Sequence, residues 1–358
     1  MAEIPLIAEV AGQEGTYPVN LFWQTELDDG KPGYRGTPGL TLEVQVDSSG
    51  GEVRGKHEMD GYLYIVCKSS VYRYKGGSRE ACTGSLLTSS GRVWMVNNGT
   101  QLMITDDVYG YYVTGTTVTQ ITDPDFPIPC SLAYQDGYGI IIEKDTQKFF
   151  KSALYDFSSW AALDYTSAEG MPDHALSVIS DHRELIIFGA DSTEPYYNSG
   201  AASFPFERIA GGFVEKGIGA AHSAAKGDNT VFWFSNRRQV LKAAGVGGSP
   251  QVVSTRQLDL RFQRMGTVSD AFGFCMDLGG TWYVLTFPTE NETWCFNTVT
   301  GRWHQWASYP YAGTHVRHRA NCYCYHAGKH LIGDFENGSI YRVDIDAYTD
   351  YENSIRSQ

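Results

Sequence analysis

The feature that most constrains the fold of this chain is a hairpin pattern that recurs seven times along its 358 residues. In each copy a short strand-like run meets a tight turn, and a second, more apolar run follows. Most of the turn residues are types that accept the positive φ of a tight hairpin. The turns are Asp60-Gly61, Asn98-Gly99, Asp136-Gly137, Asp181-His182, Gly227-Asp228, Gly279-Gly280 and Gly328-Lys329.

The runs that follow these turns are dense in β-branched and aromatic residues, as in YLYIVCK, YGIIIEK and TWYVLTF. A third strand candidate rich in aromatics follows each of them, and a weaker fourth closes most units. Successive turns begin 38 to 52 residues apart, which is the period of a four-stranded propeller blade. We therefore predict an all-β fold, a β-propeller of seven antiparallel blades. Six or eight blades stay open as counts, because the fifth unit is long and the second is short.

The ends of the chain predict how the ring closes. A single blade cannot bury both faces of its sheet, so the blades must pack around an axis without leaving terminal sheets exposed. The seventh unit lacks a convincing fourth strand, whereas LTLEVQV, from Leu40 to Val46, is an orphan strand before the first hairpin. We predict that Leu40–Val46 completes the last blade.

This division gives three segments: an extended N-terminal arm over residues 1–39, the propeller over 40–346 and a C-terminal tail over 347–358. The apolar PVNLFWQ stretch from Pro18 has two interpretations, docking on a neighbouring subunit or packing on its own propeller. Helix is nearly absent, and Ser158–Glu169 is the one stretch in which we expect a helical turn or two.

Composition and charge exclude several classes of protein. Lys and Arg number 28 against 41 Asp and Glu, a formal net charge of −13, so the chain lacks the clustered bases that neutralise nucleic-acid phosphates. No apolar run approaches the roughly 20 residues that cross a bilayer, and we expect no membrane partner. The seven Cys are an odd number in a chain large enough to fold without disulfides, and we expect reduced thiols.

No motif of nucleotide binding or nucleophilic catalysis is present, since GxxxxGK[ST], GxGxxG and GxSxG are all missing. We therefore predict no catalytic residues, no cofactor-binding residues and no cofactor. One group contains metal-ligand residue types, and a zinc site there competes with a structural role in the first strand of the last blade. We favour the structural role because CxC lacks the usual two-residue gap. The group consists of His318, Cys322, Cys324, His326 and His330.

Two further features point toward sugars. CMDLGGTW resembles the Asp-box SxDxGxTW of sialidase-type propellers, with Asp277, Gly279, Thr281 and Trp282 in place and Cys275 where Ser is expected. Such boxes normally recur around the ring, and this single copy reads better as a hairpin turn followed by a strand. The aromatic set Trp294, Trp303 and Trp306 is likewise better explained by packing between blades than by a sugar platform.

Several longer stretches resemble one family. They are PVNLF from Pro18, GYRGTPGL from Gly33, VYRYKGG from Val71, SALYDFSSWAALDYTSAEGMPD from Ser152, ELIIFGADSTEPYYNSGAASFPFER from Glu184, FVEKGIGAAHS from Phe213 and VVSTRQLD from Val252. In order and rough spacing they are similar to the packaged-DNA stabilisation protein, or tail hub (nozzle), of short-tailed bacteriophages, the podoviruses. The resemblance extends over most of the chain, although no single piece is diagnostic alone.

The resemblance implies a non-enzymatic virion protein of the tail, assembled in the host cytoplasm. It implies a hexameric ring below the portal-adaptor (connector) that extends the DNA channel, helps retain packaged DNA without sequence-specific binding, and docks a tailspike, tail fibre or tail needle. Two alternatives stay open: a propeller that binds or cleaves glycans, and a kelch-like interaction module suggested by TWCFNTVTGRWHQW.

Overall fold

Short strands joined by tight turns make up almost all of the regular structure. The computed structural model describes residues 17–25, 30–245, 248–311, 314–350 and 353–354. The N-terminal strands are β1 (Leu21–Gln24), β2 (Gly33–Gly36) and β3 (Gly39–Gln45). β1 and β2 form a two-stranded antiparallel sheet of their own, whereas β3 belongs to the last sheet of the chain.

Two antiparallel meanders follow and share one sheet. They are β4 (Val53–Met59), β5 (Tyr62–Cys67), β6 (Ser70–Lys75) and β7 (Ser78–Ser85), then β8 (Trp94–Asn97), β9 (Leu102–Thr105), β10 (Gly110–Thr114) and β11 (Thr117–Gln120). A single parallel bridge between Thr83 and Thr117 joins the outer strands β7 and β11 into an eight-stranded sheet. The number of blades stays a prediction, because a count of seven requires this sheet to be divided in two.

Three four-stranded sheets come next, each with its strands in chain order. The first has β12 (Pro129–Gln135), β13 (Tyr138–Glu143), β14 (Lys148–Ala153) and β15 (Asp156–Ser167). The second has β16 (Ala175–Asp181), β17 (Glu184–Gly189), β18 (Thr193–Asn198) and β19 (Phe206–Arg208). The third has β20 (Ala225–Gly227), β21 (Thr230–Phe234), β22 (Val240–Lys242) and β23 (Gln251–Val252).

Two larger sheets complete the chain. The first of them has β24 (Phe272–Asp277), β25 (Thr281–Phe287), β26 (Glu292–Asn297), β27 (Arg302–Tyr311) and β28 (Thr314–Arg317). The other has β29 (Ala320–His326), β30 (Lys329–Asp334), β31 (Ser339–Asp344), β32 (Thr349–Asp350) and β33 (Asn353–Ser354), with β3 inserted between β31 and β32. The all-β propeller fold predicted from the sequence is confirmed.

The predicted closing strand is confirmed. β3 pairs antiparallel with β31, with Leu40 opposite Val343 and Leu42 opposite Tyr341. The Leu40 side chain is buried in a core shared with β24, β25 and β31, so residues more than 200 positions away in the sequence hold it. The N-terminal strand thus completes the sheet that the C-terminal strands begin.

The tight turns follow from residue type. In six of the seven predicted hairpins, two consecutive turn residues have positive φ, as at Asp60-Gly61, Asp136-Gly137 and Gly279-Gly280. Three of the six lie one residue away from the predicted position. They are His182-Arg183, Asp228-Asn229 and Ala327-Gly328.

The helix prediction was wrong: the predicted stretch is a strand, and a helix forms elsewhere. Residues 156–167 form strand β15, so Ser158–Glu169 contains no helical turn within the described strand. The helix of the described residues is α1, Arg256–Arg264, whose N-cap Thr255 accepts a hydrogen bond from the Leu258 N–H. Leu258 and Phe262 are four residues apart, so they lie on one helix face, and both are buried.

The described part of the segment 1–39 packs on its own propeller. Asn20 exchanges hydrogen bonds with Ala307 of β27, and Phe22 packs edge-on against Trp282 at 4.6 Å between ring centroids. Residues 1–16 lie outside the described residues, so docking of an N-terminal arm on a neighbouring subunit stays a prediction. The boundaries 1–39, 40–346 and 347–358 stay predictions too.

Candidate functional site

From β4 onward, the first strand of each antiparallel meander lies nearest the centre of the ring. β4, β8, β12, β16, β20, β24 and β29 occupy this position, and β4, for example, contacts the first strands β8 and β29 of its neighbours. In a propeller the strands nearest the axis line a central channel. Side chains far apart in the sequence therefore meet on this axis.

One level of the axis is filled by aromatic and basic side chains. The Trp94 ring stacks on His222 with 4.0 Å between centroids, and the Arg92 guanidinium lies 3.8 Å from the centre of the Phe272 ring. Arg92 also donates a hydrogen bond to the carbonyl oxygen of Asn321. These contacts join β8, β24, β29 and the segment before β20, so they can form only where the sheets converge. These residues therefore plug the ring's own axis.

Burial sets the protonation of this plug. Desolvation lowers the pKa of His222 well below its usual value, and the nearby Arg92 charge lowers it further. Burial also lowers the pKa of Arg92 to about 10, which still leaves it charged at neutral pH. The plug therefore combines a neutral imidazole with a cation.

Next to the plug lies a cavity of about 340 Å³, which we call the axial cavity. Its residues come from β4, β8, β12 and β16, from β20 and from the residue before β20. They are His57, Trp94, Val96, Asn97, Leu132, Ala133, Tyr134, Ser177, Val178, Ile179, Ser180, Ala224 and Lys226. Sequence reasoning did not find this site, because no local motif links residues that lie up to about 170 positions apart.

The residues of the group considered for zinc each contact a different partner. The His318 ring accepts from the Ala320 N–H at 3.3 Å, the Cys322 Sγ faces the Val53 carbonyl at 3.7 Å, and His330 pairs with the Tyr323 hydroxyl at 2.8 Å. Among the described residues no group of three or more His, Cys, Asp or Glu is arranged to hold a metal ion. Cys324 and His326 are not drawn into such a group either.

A buried cation near these cysteines also disfavours a metal. The Lys56 ammonium donates to the Cys322 carbonyl oxygen at 3.1 Å and is almost fully buried. Burial lowers its pKa to about 8, so it is still mostly charged at neutral pH. A metal cation beside it would meet electrostatic repulsion.

The Asp-box residues form a turn and a core strand. Asp277 accepts a hydrogen bond from the Gly280 N–H at 3.0 Å, which closes the β24–β25 loop around Gly279. Thr281 starts β25, and Trp282 is buried against Phe22. The Asp277 carboxylate thus stabilises its own turn.

The three predicted packing tryptophans are buried, as expected. Trp294 donates to Glu292 at 2.9 Å, and Trp303 donates to the Val253 carbonyl at 2.8 Å. Trp306 donates to the His304 Nε2 at 2.9 Å. Because each indole N–H is satisfied inside the protein, these rings stabilise the core and offer no sugar platform.

Comparison with known proteins gives one family. The model of the Phage_stabilise family, described as bacteriophage P22 Gp10, beta-propeller, matches residues 4–348. No curated protein matches the chain in sequence. Among the described residues no helix has the length and apolar character that a membrane span needs.

Solved structures with similar folds include proteins of unrelated kinds. The extracellular domain of a hybrid two-component system from B. thetaiotaomicron aligns with a TM-score of 0.59 at 10% identity, over 86% of this chain and 40% of that one. A catalytically inactive virginiamycin B lyase from Staphylococcus aureus aligns with a TM-score of 0.57 at 9% identity, over 85% and 98%. The Neurospora crassa Pan2 WD40 domain aligns with a TM-score of 0.54 at 7% identity, over 87% and 95%. At these identities the likeness concerns the fold alone.

Proposed function

The chain belongs to the Phage_stabilise family of bacteriophage P22 Gp10-like β-propellers, and from this we propose that it forms a ring in a phage tail, below the portal-adaptor. The observation that carries the proposal is the extent of the match, which includes the whole propeller from β3 to β31. In the ring the protein extends the DNA channel, helps retain packaged DNA and docks a tailspike, tail fibre or tail needle. It acts in the virion, without enzymatic turnover.

The closed sheet supports this role. A ring of identical subunits uses two different faces of each subunit, and it closes only if those faces keep a fixed angle. Pairing of β3 with β31 joins the two ends of the propeller. The first and last sheets are therefore held together and cannot slide past each other. Such a subunit transmits a fixed angle from one contact to the next.

The filled axis and the net charge support a DNA channel that lies outside the propeller of each subunit. Arg92, Trp94, His222 and Phe272 fill one level of the propeller's own axis, so a DNA channel requires space between subunits. Each subunit contributes a formal charge of −13. A wall of that sign repels phosphates and lets the genome pass without adhering.

Glycan recognition is less well supported. The Asp277 carboxylate is engaged in its own turn, and the indole groups of Trp294, Trp303 and Trp306 are engaged in the core. No specific observation favours the glycan alternative over the tail role.

Electron microscopy of the purified chain mixed with the connector of the same phage tests the proposal. We expect six-fold rings seated on the connector, whereas the connector alone gives the control image. Monodisperse single propellers that leave the connector unchanged over a range of concentrations would contradict the proposal.

A deletion separates the arm from the ring. Removing residues 1–16 keeps every described strand of the propeller, so the variant is expected to fold. If the arm docks on a neighbour, ring formation weakens while the melting temperature of the monomer is unchanged. Intact ring assembly by the variant would assign the ring contacts to the propeller itself.

A further inference from the structure

The axial cavity differs in charge character from the rest of the molecule. Its only side chain with a formal charge at neutral pH is Lys226, and no Asp or Glu is among the described residues that line it. The chain as a whole carries 41 acidic residues against 28 basic ones. A lining without carboxylates is therefore a local departure, and it favours a ligand of negative charge.

Two buried donors among the residues that line the cavity have no hydrogen-bond partner in the described structure, the Trp94 Nε1 and the Ser177 Oγ. Ser177 is fully buried, and its Oγ makes no hydrogen bond within the described structure. Nearby hydroxyls are satisfied: Ser180 donates to Gln135 at 2.9 Å, and Ser131 accepts from the Val178 N–H at 3.0 Å. Because a buried polar group without a partner costs free energy, Ser177 is a group that a ligand would satisfy, whereas the Trp94 indole acts on Asp107 and partly offsets the rise that burial causes in the pKa of that carboxyl.

A second donor follows from the hydrogen bonds of Asn97. Its Nδ2 lies 2.9 Å from the His57 Nε2 and donates to the Glu58 carbonyl at 3.0 Å, while its Oδ1 accepts from the Gly99 N–H at 2.9 Å. This arrangement fixes the amide orientation, so His57 Nε2 is the acceptor. Burial lowers the pKa of His57 to about 4, which keeps the ring neutral at pH 7. The proton of the neutral ring is then on Nδ1, which makes Nδ1 a donor.

The remaining walls are apolar. Val96, Leu132, Val178 and Ile179 line the cavity, and the Trp94 ring, stacked on His222, closes one side. A ligand that fits this lining combines an oxyanion with an aromatic or aliphatic body.

We propose that the axial cavity binds a small organic oxyanion, a carboxylate or phosphate monoester with an apolar body. Lys226 pairs with its charge, Ser177 and His57 donate hydrogen bonds to its oxygens, and the apolar walls receive the rest of the molecule. All residues that line the cavity belong to one chain, so the site can be tested on the purified protein without the connector.

Isothermal titration calorimetry with benzoate and with phenyl phosphate tests the site, and benzamide serves as the uncharged control. We expect saturable binding of at least one anion and none of benzamide, with titration to about 10 mM so that millimolar Kd values are reached. The probe that binds more tightly identifies the oxyanion class. Absence of saturable binding for both anions would overturn the proposal.

Variants then locate the binding. Ser177→Ala is expected to weaken the bound anion about fivefold or more, and Lys226→Met about tenfold or more. The matched control is Lys242→Met, because Lys242 lies in the same sheet but pairs with Asp228 outside the cavity. Equal affinity in wild type, Ser177→Ala and Lys226→Met would also overturn the proposal.

The unliganded Ser177→Ala protein separates binding from folding. Because the Ser177 hydroxyl has no partner to lose, we expect the free energy of unfolding to stay constant or to rise. A loss of stability together with unchanged affinity would assign Ser177 a structural role and contradict the site.

Discussion

Single buried side chains join neighbouring parts of the ring, and Arg54 is the clearest of them. It is fully buried, and its guanidinium donates to the carbonyl oxygens of Lys68, Thr88 and Gly91 and to the Thr88 hydroxyl, at 2.6 to 2.9 Å. It thereby ties β4 to the connection between β7 and β8. The fork of an Arg side chain suits this set of acceptors, whereas a Lys ammonium offers three donors from one atom.

We expect Arg54→Lys to lower the free energy of unfolding by about 2–4 kcal/mol, since hydrogen bonds from a charged donor to buried carbonyls are lost. Urea denaturation monitored by tryptophan fluorescence measures the change. Arg183→Lys is the matched control, because the Arg183 side chain is 86% exposed. Equal stabilities of the two variants would show that the fork geometry of Arg54 is dispensable.

Buried histidines make stability depend on pH. Burial lowers the pKa of His304 and of His318 to about 3 in the folded protein. The unfolded chain, with a His pKa near 6.5, binds these protons first, so stability falls as the pH drops below about 6.5 and keeps falling toward 3. Between pH 7 and pH 5 each histidine is expected to cost about 2 kcal/mol.

Denaturation curves at pH 7 and pH 5 test this dependence. His304→Gln removes one titrating group and is expected to reduce the loss between the two pH values. The exposed His182 has its pKa raised by Asp181 and Asn229, so it titrates in the opposite sense and serves as a comparison through His182→Gln. If His304→Gln loses as much stability as the wild type between pH 7 and pH 5, His304 does not cause the pH dependence.

At the scale of elements, the closing strand carries a testable asymmetry. Leu40 is 2% exposed and Leu42 is 39% exposed, although both are leucines of β3 opposite β31. Leu40→Ala is expected to lower the free energy of unfolding by about 2–4 kcal/mol, from lost burial and the cavity left behind. Leu42→Ala should change it by less than about 1 kcal/mol. Similar losses of stability in both variants would mean that burial of the Leu40 side chain does not hold β3 in place.

The same strand shows what the sequence could predict. Leu40–Val46 was recognisable because an alternating strand without a partner stood at one end and a blade short of one strand stood at the other. Helix α1 was missed, although Thr255 before a Leu258 and Phe262 pair four residues apart is a helix signal. The three displaced turns differ by one residue, because one of the two predicted turn residues, Asp181, Gly227 or Lys329, is paired in a strand of its hairpin.

The axial cavity could not be predicted in the same way. His57, Ser177 and Lys226 each lie on a different sheet, and none stands in a motif. Their convergence depends on the order and tilt of the sheets around the axis. The sequence predicts the strands, but only closure of the ring decides which side chains meet.

At the scale of the whole molecule, charge is the property that bears most directly on the proposed channel. Non-specific DNA binding arises when Lys and Arg side chains displace counterions from phosphates, and it strengthens steeply as salt is lowered. This chain has a net charge of −13 and no Lys or Arg run longer than Arg237-Arg238. It therefore has few clustered basic side chains that could displace counterions from DNA. In the proposed ring, an acidic wall lets DNA slide past, so the protein helps to retain DNA by docking the component that closes the exit.

We therefore expect no shift of double-stranded DNA by the isolated protein in a gel assay, even at about 50 mM salt, where cationic binders are strongest. A charge-reversed control makes the negative result informative: seven exposed carboxylates replaced by Lys, Asp60, Glu80 and Asp346 among them, give a formal net charge of about +1 and should produce a shift that disappears as salt rises. If the wild-type protein itself shifts DNA and this shift disappears with added salt, basic side chains must be clustered on one face. The channel wall would then grip the genome, and retention would have to be assigned to the ring itself.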